Sequence, residues 1–393
     1  MWYTGFECIF DLLILLGEES MKIIHCSDLH LDSDLRSKYS GPEASERKAE
    51  LLHTFRRLCR WAKEFDADAV LICGDLFDVG TPSPSAVADV EDLILSNQNI
   101  LFFCLRGNHD SGTVLFKSRR KPDNLILFGE NWSQWELTDA GEGGRTICIA
   151  GREPVAPASD SGQAFTAPEL DPSHLNIVML HGQVTDGRSG SDPETVPLGL
   201  LRGIGIDYLA LGHLHHFRAF SLDERGTAAY SGCLEGRGFD ECGECGFVLI
   251  DTGDYNTNLK IRFIPFASRR LYRVPCDITG CLSDTEVYEK IGGALRTSGS
   301  GERDLVRLEL TGSLEYGCSP DPELIKKEWG DFFHYFEYKD CTEGVIHSED
   351  FLCDATLKGE FVRTVNAADG LSKDARMRVL RCGLRALSGK SPF

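Results

Sequence analysis

Five short segments of the sequence carry side chains that bind metal ions, and each directly follows an apolar stretch. They are Asp28-Leu29-His30, Gly74-Asp75-Leu76-Phe77-Asp78, Gly107-Asn108-His109-Asp110, His181-Gly182 and Gly212-His213-Leu214-His215. Imidazole, carboxylate and amide-oxygen donors together suit manganese, iron or zinc. None of the five segments contains a cysteine, which argues against a closed structural zinc site. The set therefore predicts a pair of divalent ions of the kind that hydrolyses phosphoesters.

A carboxylate between two dications is needed to offset their mutual repulsion. Asp75 is the best candidate for this bridging position, because the turn at Gly74 lets its side chain project from a strand end. Asp28 and His30 are two residues apart, so in an extended segment they would point to the same side. We expect this pair to chelate one of the two ions.

The third and fifth segments supply the remaining functional side chains. His213 and His215 have the same two-residue spacing, so each could serve a different ion. Asn108 offers a neutral oxygen, which would leave the second ion more electrophilic than a carboxylate would. His109 should point away from the metals toward the substrate. Its expected role is that of a general acid that protonates the departing alkoxide, while metal-activated water attacks the phosphodiester.

Two further carboxylates of the segments have open roles. Asp78 and Asp110 could orient a ligand histidine from behind, or could cap the start of a helix, and we favour the supporting role. A histidine outside the segments is most simply a hydrogen-bonded structural residue. This group comprises His25, His53, His174, His216, His334 and His347.

The apolar stretches before the segments have the length and β-branched content of buried strands. They run over residues 22–26, 69–73, 100–105, 175–180 and 208–211. Amphipathic patterns predict helices over about 43–65 and 84–96. This alternation predicts an α/β layered fold, in which ligands gather at the carboxyl ends of strands. From residue 146 onward, closely spaced strands predict a more antiparallel second half, with surface loops over 152–173 and 183–199.

The ends of the chain differ in composition from its middle. Residues 1–20 are interpreted as an upstream extension, since Met21 opens an apolar strand. The apolar run within this extension is too short to span a membrane and lacks a basic flank, so we expect neither a membrane anchor nor export. A main domain is predicted over 21–266, a smaller domain over 267–370, and a basic helix with its tail over 371–393.

Composition places the chain among ordinary globular proteins. Of its 393 residues, 42% are hydrophobic and 26% are charged, and the formal net charge is −20. This acidity argues mildly against a general polyanion binder, although two bound dications would reverse the charge locally. The 15 cysteines lack the regular spacing of a secreted disulfide scaffold, so a reducing cytoplasm is expected. Cys242-Gly-Glu-Cys245 is interpreted as plain loop thiols, with a redox or accessory metal role as the alternative.

The five segments resemble those of the calcineurin-like metallophosphoesterase superfamily over roughly residues 21–265. The segments 27–32, 107–110 and 212–215, with the later runs 230–239 and 264–270, resemble the bacterial SbcD-type DNA repair exonucleases more closely. This resemblance implies two central mixed β-sheets flanked by helices, with a smaller α+β C-terminal capping domain. Some nucleases of the superfamily carry a histidine where this chain has Asp78, and the aspartate agrees better with the bacterial branch.

The resemblance also implies a ligand set, a cofactor and partners. One ion would take Asp28, His30, Asp75 and His215, and the other would take Asp75, Asn108, His181 and His213, with His109 near the scissile phosphate. The metal would be Mn²⁺, with Fe²⁺, Zn²⁺ or Mg²⁺ as alternatives. The substrate would be DNA, and the partner a coiled-coil SMC-like ATPase of the SbcC type. A homodimer is a further possibility.

Substrate choice depends on local basic groups, because the superfamily fold serves several substrate classes. Lys117, Arg119, Arg120 and Lys121, called the basic cluster below, follow the Asn108-His109 turn closely enough to lie at the rim of the site and bind a DNA backbone. DNA cleavage is therefore favoured over hydrolysis of a small phosphodiester or phosphomonoester. The third hypothesis is a non-enzymatic, metal-bound scaffold that holds an ATPase partner, and the presence of His109 argues against it.

Overall fold

The computed structural model describes residues 20–78, 82–110, 121–138, 145–154, 165–187, 194–253, 259–314, 318, 320–344, 351 and 353–387. The chain divides into two compact units between Arg270 and Leu271. In chain order, the elements of the first unit are β1 (Lys22–Cys26), α1 (Gly41–Glu64), β2 (Ala69–Cys73), α2 (Pro84–Leu95), β3 (Leu101–Leu105), β4 (Leu125–Leu127), β5 (Ser133–Thr138), β6 (Thr146–Gly151), β7 (Leu175–His181), β8 (Gln183–Thr185), β9 (Thr195–Pro197), α3 (Leu198–Leu201), β10 (Tyr208–Gly212), β11 (Arg218–Ser221), β12 (Thr227–Tyr230), β13 (Gly246–Asp251) and β14 (Lys260–Pro265).

The first unit is built on two mixed sheets, each of which has six strands within the described residues. The first sheet has the order β14-β13-β1-β2-β3-β4, in which β1 to β4 are parallel and β13 and β14 pair in antiparallel fashion. The second has the order β11-β12-β10-β7-β6-β5, with antiparallel pairing only for the outer strands β11 and β5. Two mixed sheets with flanking helices confirm the predicted α/β fold class.

One core cluster draws side chains from both sheets. Leu71 and Phe103 come from the first sheet, and Ile149 and Ile177 from the second, and all four are fully buried. Such apolar strands are buried on both faces, which is why they read as continuous hydrophobic runs. The buried side chains of α1 follow its helical spacing, and its Trp61 ring lies 5.0 Å from that of Phe247 in β13.

The second half is more antiparallel than the first, as expected, because β5, β11, β13 and β14 all pair in antiparallel fashion. Strands β6, β7, β10 and β12 are nevertheless parallel to one another, because the long connections between them allow crossovers that strand sequences do not encode. One expectation about the second half was wrong. Residues 183–199 are not only a loop, since β8 and β9 pair there, with Gln183 opposite Thr195.

The second unit, in chain order, contains β15 (Leu271–Asp277), α4 (Asp284–Thr297), β16 (Leu305–Thr311), β17 (Ser313–Leu314), α5 (Pro322–Trp329), β18 (Tyr335–Asp340), β19 (Glu343–Gly344), α6 (Leu357–Ala367) and α7 (Lys373–Leu387). Strands β15, β16 and β18 form a parallel sheet in that order. Val287 and Ile291 of α4 share a core cluster with Leu308 of the sheet. The hairpin α6–α7 has a separate small core around Val362 and Leu380. Across the helices that the structure describes, none is long and apolar enough to cross a membrane.

Candidate metal centre

The predicted ligand segments meet where the carboxyl ends of the two sheets approach each other. In the first sheet, β1, β2 and β3 are parallel and lead into Asp28, Asp75 and Asn108. In the second sheet, β7 ends at His181 and β10 leads into the segment of His213. The sheets touch here, because the Nδ1 of His181 donates to the carbonyl oxygen of Cys73, at 2.9 Å.

The backbone at the site is strained. Asp28, His30, Asp75 and His213 have φ values of 52°, 45°, 51° and 103°. L-residues other than glycine adopt this region at a cost of about 1–3 kcal/mol each, and such residues cluster at functional sites. The expectation that Asp28 and His30 lie in an extended segment was therefore wrong, because the chain turns left-handed directly after β1. The turn still brings both side chains to the centre.

Asp28, His30 and His215 form one group of metal-binding atoms. The Nε2 atoms of His30 and His215 lie 3.3 Å apart. The Oδ1 of Asp28 lies 3.8 Å from the Nε2 of His215, and the Oδ2 of Asp75 lies 3.8 Å from the Nε2 of His30.

His181 belongs to a second group of metal-binding atoms, together with Asp28 and Asp75. Its Nε2 lies 3.4 Å from the Oδ2 of Asp75 and 3.0 Å from the Oδ1 of Asn108. The ring of His213 packs against that of His181, edge to face, with centroids 5.4 Å apart. The same Asp75 oxygen therefore faces both groups, as a bridging ligand must.

The arrangement of donors fits divalent cations. Metal–ligand bonds of about 2.1 Å place neighbouring donors about 3.0–3.4 Å apart. The closest pairs, at 3.0, 3.3 and 3.4 Å, fall in this range. In addition, the Nδ1 atoms of His30 and His215 lie 3.0 and 2.8 Å from carboxylate oxygens of Asp78 and Glu241, so both Nε2 atoms are left facing the centre.

The carboxylates behind the ligand histidines include Asp78. Its Oδ1 lies 3.0 Å from the Nδ1 of His30, which is the orienting role favoured from the sequence. Asp110 has a different role from either alternative, because its carboxylate accepts hydrogen bonds from the backbone N–H groups of Leu76, Phe77 and Gly107. It joins the loops after β2 and β3, and burial raises its pKa to about 6.

Asp75 and His181 form a buried, mutually stabilised pair. Burial alone would raise the pKa of Asp75, but its hydrogen bond to His181 and the nearby imidazoles hold it well below the usual range. Burial likewise opposes the charge of His181, yet Asp75 raises the pKa of this imidazole to about 9. A bound cation would replace the additional proton of the His181 imidazole. The electrostatic environment of the site therefore favours a positive charge.

His109 is the most accessible of these histidines, with a side chain that is 45% exposed. Its backbone N–H donates to the Oδ1 of Asp75, at 3.0 Å, and its ring centroid lies 5.1 Å from that of His30. The residue therefore stands beside the candidate ligands with its ring open to solvent, as a group that meets substrate must.

A family model described as "Calcineurin-like phosphoesterase" matches residues 21–217, which include all five segments. The chain belongs to this family. The match confirms the predicted superfamily, and it makes the protein a phosphoesterase hydrolase.

Individual proteins are also similar to this calcineurin-like phosphoesterase. The "Uncharacterized metallophosphoesterase YhaO" of Bacillus subtilis (strain 168) is 27% identical over 303 residues, which span 75% of this chain and 72% of YhaO. Among solved structures, TT1561 of Thermus thermophilus is 13% identical, covering 62% of this chain and 99% of its own, with a TM-score of 0.38. A dimetal phosphatase from Danio rerio is 11% identical, with 63% and 99% coverage and a TM-score of 0.36.

Reasoning from the sequence missed two residues of this phosphoesterase site. The Oε1 of Glu241 lies 2.8 Å from the Nδ1 of His215, and Arg237 contacts Glu241 and Asp78. Both lie in the loop between β12 and β13, for which only the resemblance gave a signal. Of the basic cluster, residues 117, 119 and 120 lie outside the described part of the chain, and Lys121 is exposed.

Cys242 and Cys245 contact other parts of the same loop. The metal-binding groups found among described residues contain no cysteine. Cys242 donates to the carbonyl oxygen of Phe239, and the Sγ of Cys245 lies 3.3 Å from that of Cys233.

Proposed function

We propose that this phosphoesterase is a two-metal phosphodiesterase that cuts DNA. The observation that carries the two-metal part is the position of Asp75, whose Oδ2 faces the Nε2 of His30 on one side and the Nε2 of His181 on the other. One ion would be held by Asp28, His30, Asp75 and His215, and the other by Asp75, Asn108, His181 and His213.

The proposed role of each group in the reaction follows from its chemistry. Two divalent ions, when bound, would supply Lewis acidity at the phosphoryl oxygens and a water-derived nucleophile. Asp75 and Asp28 hold negative charge between the imidazoles. His109 is exposed beside them, and in this proposal it gives a proton to the leaving oxygen. No side chain needs to form a covalent bond with the substrate.

DNA is the proposed substrate because of basic residues next to the site in the sequence. The basic cluster Lys117, Arg119, Arg120 and Lys121 begins eight residues after His109, and phosphate-backbone binding depends on such cations. The basic face of α1, formed by Arg56, Arg57, Arg60 and Lys63, is a weaker candidate. Its Arg57 is already engaged with Ser268 and the Phe266 ring. The resemblance to SbcD-type exonucleases supports the same choice.

A small phosphodiester or phosphomonoester is the second candidate substrate. The observation that favours it is the formal net charge of −20, which opposes the approach of a long polyanion at a distance. The local cations and the two bound ions outweigh this charge in our proposal, since screening limits its range to about 10 Å.

Metal identity, partner and location complete the proposal. The metal is Mn²⁺, and a coiled-coil ATPase subunit delivers the DNA. The protein acts in the cytoplasm, and the 14 described cysteines form no disulfide with one another, which agrees with a reducing compartment. A homodimer is compatible with this scheme.

Cleavage of linear duplex DNA with Mn²⁺ tests the substrate, with bis-p-nitrophenyl phosphate hydrolysed in parallel and His213→Ala as the inactive control. We expect wild-type protein to cut both substrates and the control to cut neither. Replacing the basic cluster with alanine should reduce DNA cleavage much more than hydrolysis of the small diester. The matched control is the triple variant Arg56→Ala, Arg60→Ala and Lys63→Ala on α1, which should reduce neither.

Hydrolysis of the small diester with DNA left intact, also in the presence of the ATPase, would contradict DNA as the substrate. Equal losses on both substrates in the basic-cluster variant would contradict its role in DNA binding. Neither result would affect the two-metal site, which the small diester reports independently.

A further inference from the structure

Arg237 joins the two carboxylates that stand behind the histidines of one predicted ion. Its Nη1 lies 2.7 Å from the Oδ1 of Asp78, which faces His30. Its Nη2 and Nε donate to the Oε1 of Glu241, at 2.8 and 3.1 Å, and that oxygen also faces His215. The backbone N–H of Arg237 donates to the other oxygen of Glu241, at 2.6 Å.

This geometry needs an arginine. The guanidinium is a rigid planar fork, so one side chain can bind two carboxylates in fixed directions, whereas the lysine ammonium is a single point on a flexible stem. The side chain of Arg237 is only 11% exposed, and that of Glu241 is 1% exposed. Without Arg237, two negative charges would stand near each other with little access to water, which is unfavourable.

We propose that Arg237 is a positioning residue that selectively sets the affinity of the ion bound by His30 and His215. It holds Asp78 and Glu241 as ionised acceptors, and these carboxylates fix both imidazoles with the Nε2 lone pairs directed to the ion. His181, a candidate ligand of the other ion, lies outside this chain of contacts, because its Nδ1 donates to the backbone carbonyl of Cys73 instead. This inference rests on the two-ion site of the proposed function.

The alternative is that Arg237 only forms a structural ion pair. The two hypotheses predict different effects of an Arg237 substitution on stability and on metal affinity. A structural pair would alter the stability of the loop between β12 and β13 and would leave both metal affinities equal to those of wild type in the folded protein. Positioning predicts a loss at one ion only. Removal of a group that orients a ligand typically costs 10–100-fold in metal affinity.

The test is calorimetric titration of the metal-free, full-length protein with Mn²⁺, without substrate. Arg237→Lys keeps the charge and should weaken one of the two binding steps by about 10–100-fold, with the other step changed by less than about threefold. Excess Mn²⁺ should restore kcat for bis-p-nitrophenyl phosphate. The matched control is Arg36→Lys, since Arg36 also donates two hydrogen bonds to a carboxylate, that of Asp34, at 2.8 and 2.7 Å, but on an exposed surface and without bridging two carboxylates.

Glu241→Gln is the second variant, in case Arg237→Lys does not fold. It keeps the shape of the side chain and an acceptor for His215, and it should weaken the same single step. Wild-type affinities at both steps in the folded variants would overturn the positioning role, and so would equal losses at both steps. If wild-type protein binds two ions and these variants match it, this inference alone fails. If wild-type protein binds no divalent ion, the proposed function fails together with it.

Discussion

At the scale of single residues, three candidate ligand histidines use their two ring nitrogens in the same way. The Nδ1 of His30 faces Asp78, that of His215 faces Glu241, and that of His181 donates to the carbonyl oxygen of Cys73. All three therefore direct Nε2 toward the centre. An acceptor on Nδ1 fixes both the tautomer and the ring orientation, so the site is preorganised before any ion binds.

In the proposed function the side chain of His109 is the general acid, and its backbone N–H contacts Asp75. Because its N–H, which an alanine retains, donates to Asp75, His109→Ala should bind Mn²⁺ with wild-type affinity. Without the general acid, kcat should fall by about 10²–10⁴-fold. Metal titration measures the affinity, and steady-state cleavage of linear duplex DNA, whose leaving group is an alkoxide that needs the proton, measures kcat. Unchanged turnover would exclude His109 as the acid.

His25 makes the stability of the fold dependent on pH. Burial lowers its pKa from 6.5 to about 3, and its Nδ1 lies 2.9 Å from the hydroxyl of Tyr208. Between these two values the unfolded chain binds more protons than the folded one, so stability rises with pH up to about 6.5 and is lost as the pH falls below it. From pH 7.5 to pH 5 this residue should remove about 2 kcal/mol.

Urea unfolding of wild type and His25→Gln at both pH values isolates this contribution. The variant lacks the titrating imidazole, so its stability should fall by about 2 kcal/mol less than that of wild type over the same interval. An identical fall in both proteins would show that His25 is not held neutral in the fold.

At this scale, the sequence allowed the prediction of functional residues that directly follow strands. It did not allow the prediction of residues that contact the site from a distant position in the chain. Asp28, Asp75 and His181 each come directly after a β-strand or end one, so the hydrophobic pattern marks their place. Glu241 lies 26 residues beyond His215 in a loop without periodicity, and nothing local shows that it returns to that histidine. The left-handed φ of His30 is also invisible, because only the contacts around the residue impose it.

At the scale of elements, the turn after β2 is a point where the two sheets pack tightly. Gly74 has a φ of 84°, and a Cβ at this position would lie 2.3 Å from the Nδ1 of His181. Any side chain there must displace the histidine or the turn. The close approach therefore fixes Asp75 and His181, which belong to different sheets, against each other.

Gly74→Ala should cost about 2–5 kcal/mol of stability, since backbone strain and overpacking add. It should also weaken Mn²⁺ binding, because His181 has to move. Gly129→Ala is the matched control, with nothing within 4 Å of the added Cβ, and should change stability by less than about 0.5 kcal/mol. Thermal unfolding and metal titration of both variants give the comparison. A stable Gly74→Ala with normal metal affinity would contradict the close packing.

The positions of helices and strands were more predictable than the pairing of the strands. The spacing of apolar residues placed α1 over about 43–65, and it spans Gly41–Glu64. Strand positions were equally readable, but their partners were not. Strand β13 comes late in the sequence and returns to pair with β1, with Ile250 opposite Ile23, a long-range choice that tertiary packing makes.

At the scale of the whole molecule, the chain contains separate cores on the two sides of Arg270. The clusters that include Phe103 and Leu209 draw only on the first unit, and those around Leu308 and Leu380 only on the second. A unit with a core of its own can fold alone. The seven candidate ligands of the two-ion centre lie in the first unit.

A truncated chain that spans residues 20–270 should therefore fold and hydrolyse bis-p-nitrophenyl phosphate with a kcat within about threefold of the full-length value. Circular dichroism reports folding, and steady-state kinetics report the site. Loss of hydrolysis in a folded truncated chain would show that the second unit contributes to the centre.

Hydrolysis of bis-p-nitrophenyl phosphate during stepwise addition of Mn²⁺ to metal-free protein tests the central claim most directly. The wild-type rate should rise with added ion and level off at two equivalents per chain, because Asp75 faces two ligand groups. Asp75→Asn removes the bridging charge and should lower the plateau by about two orders of magnitude or more. Full activity without divalent ions, a plateau at one equivalent, or wild-type turnover in Asp75→Asn would contradict a two-metal centre.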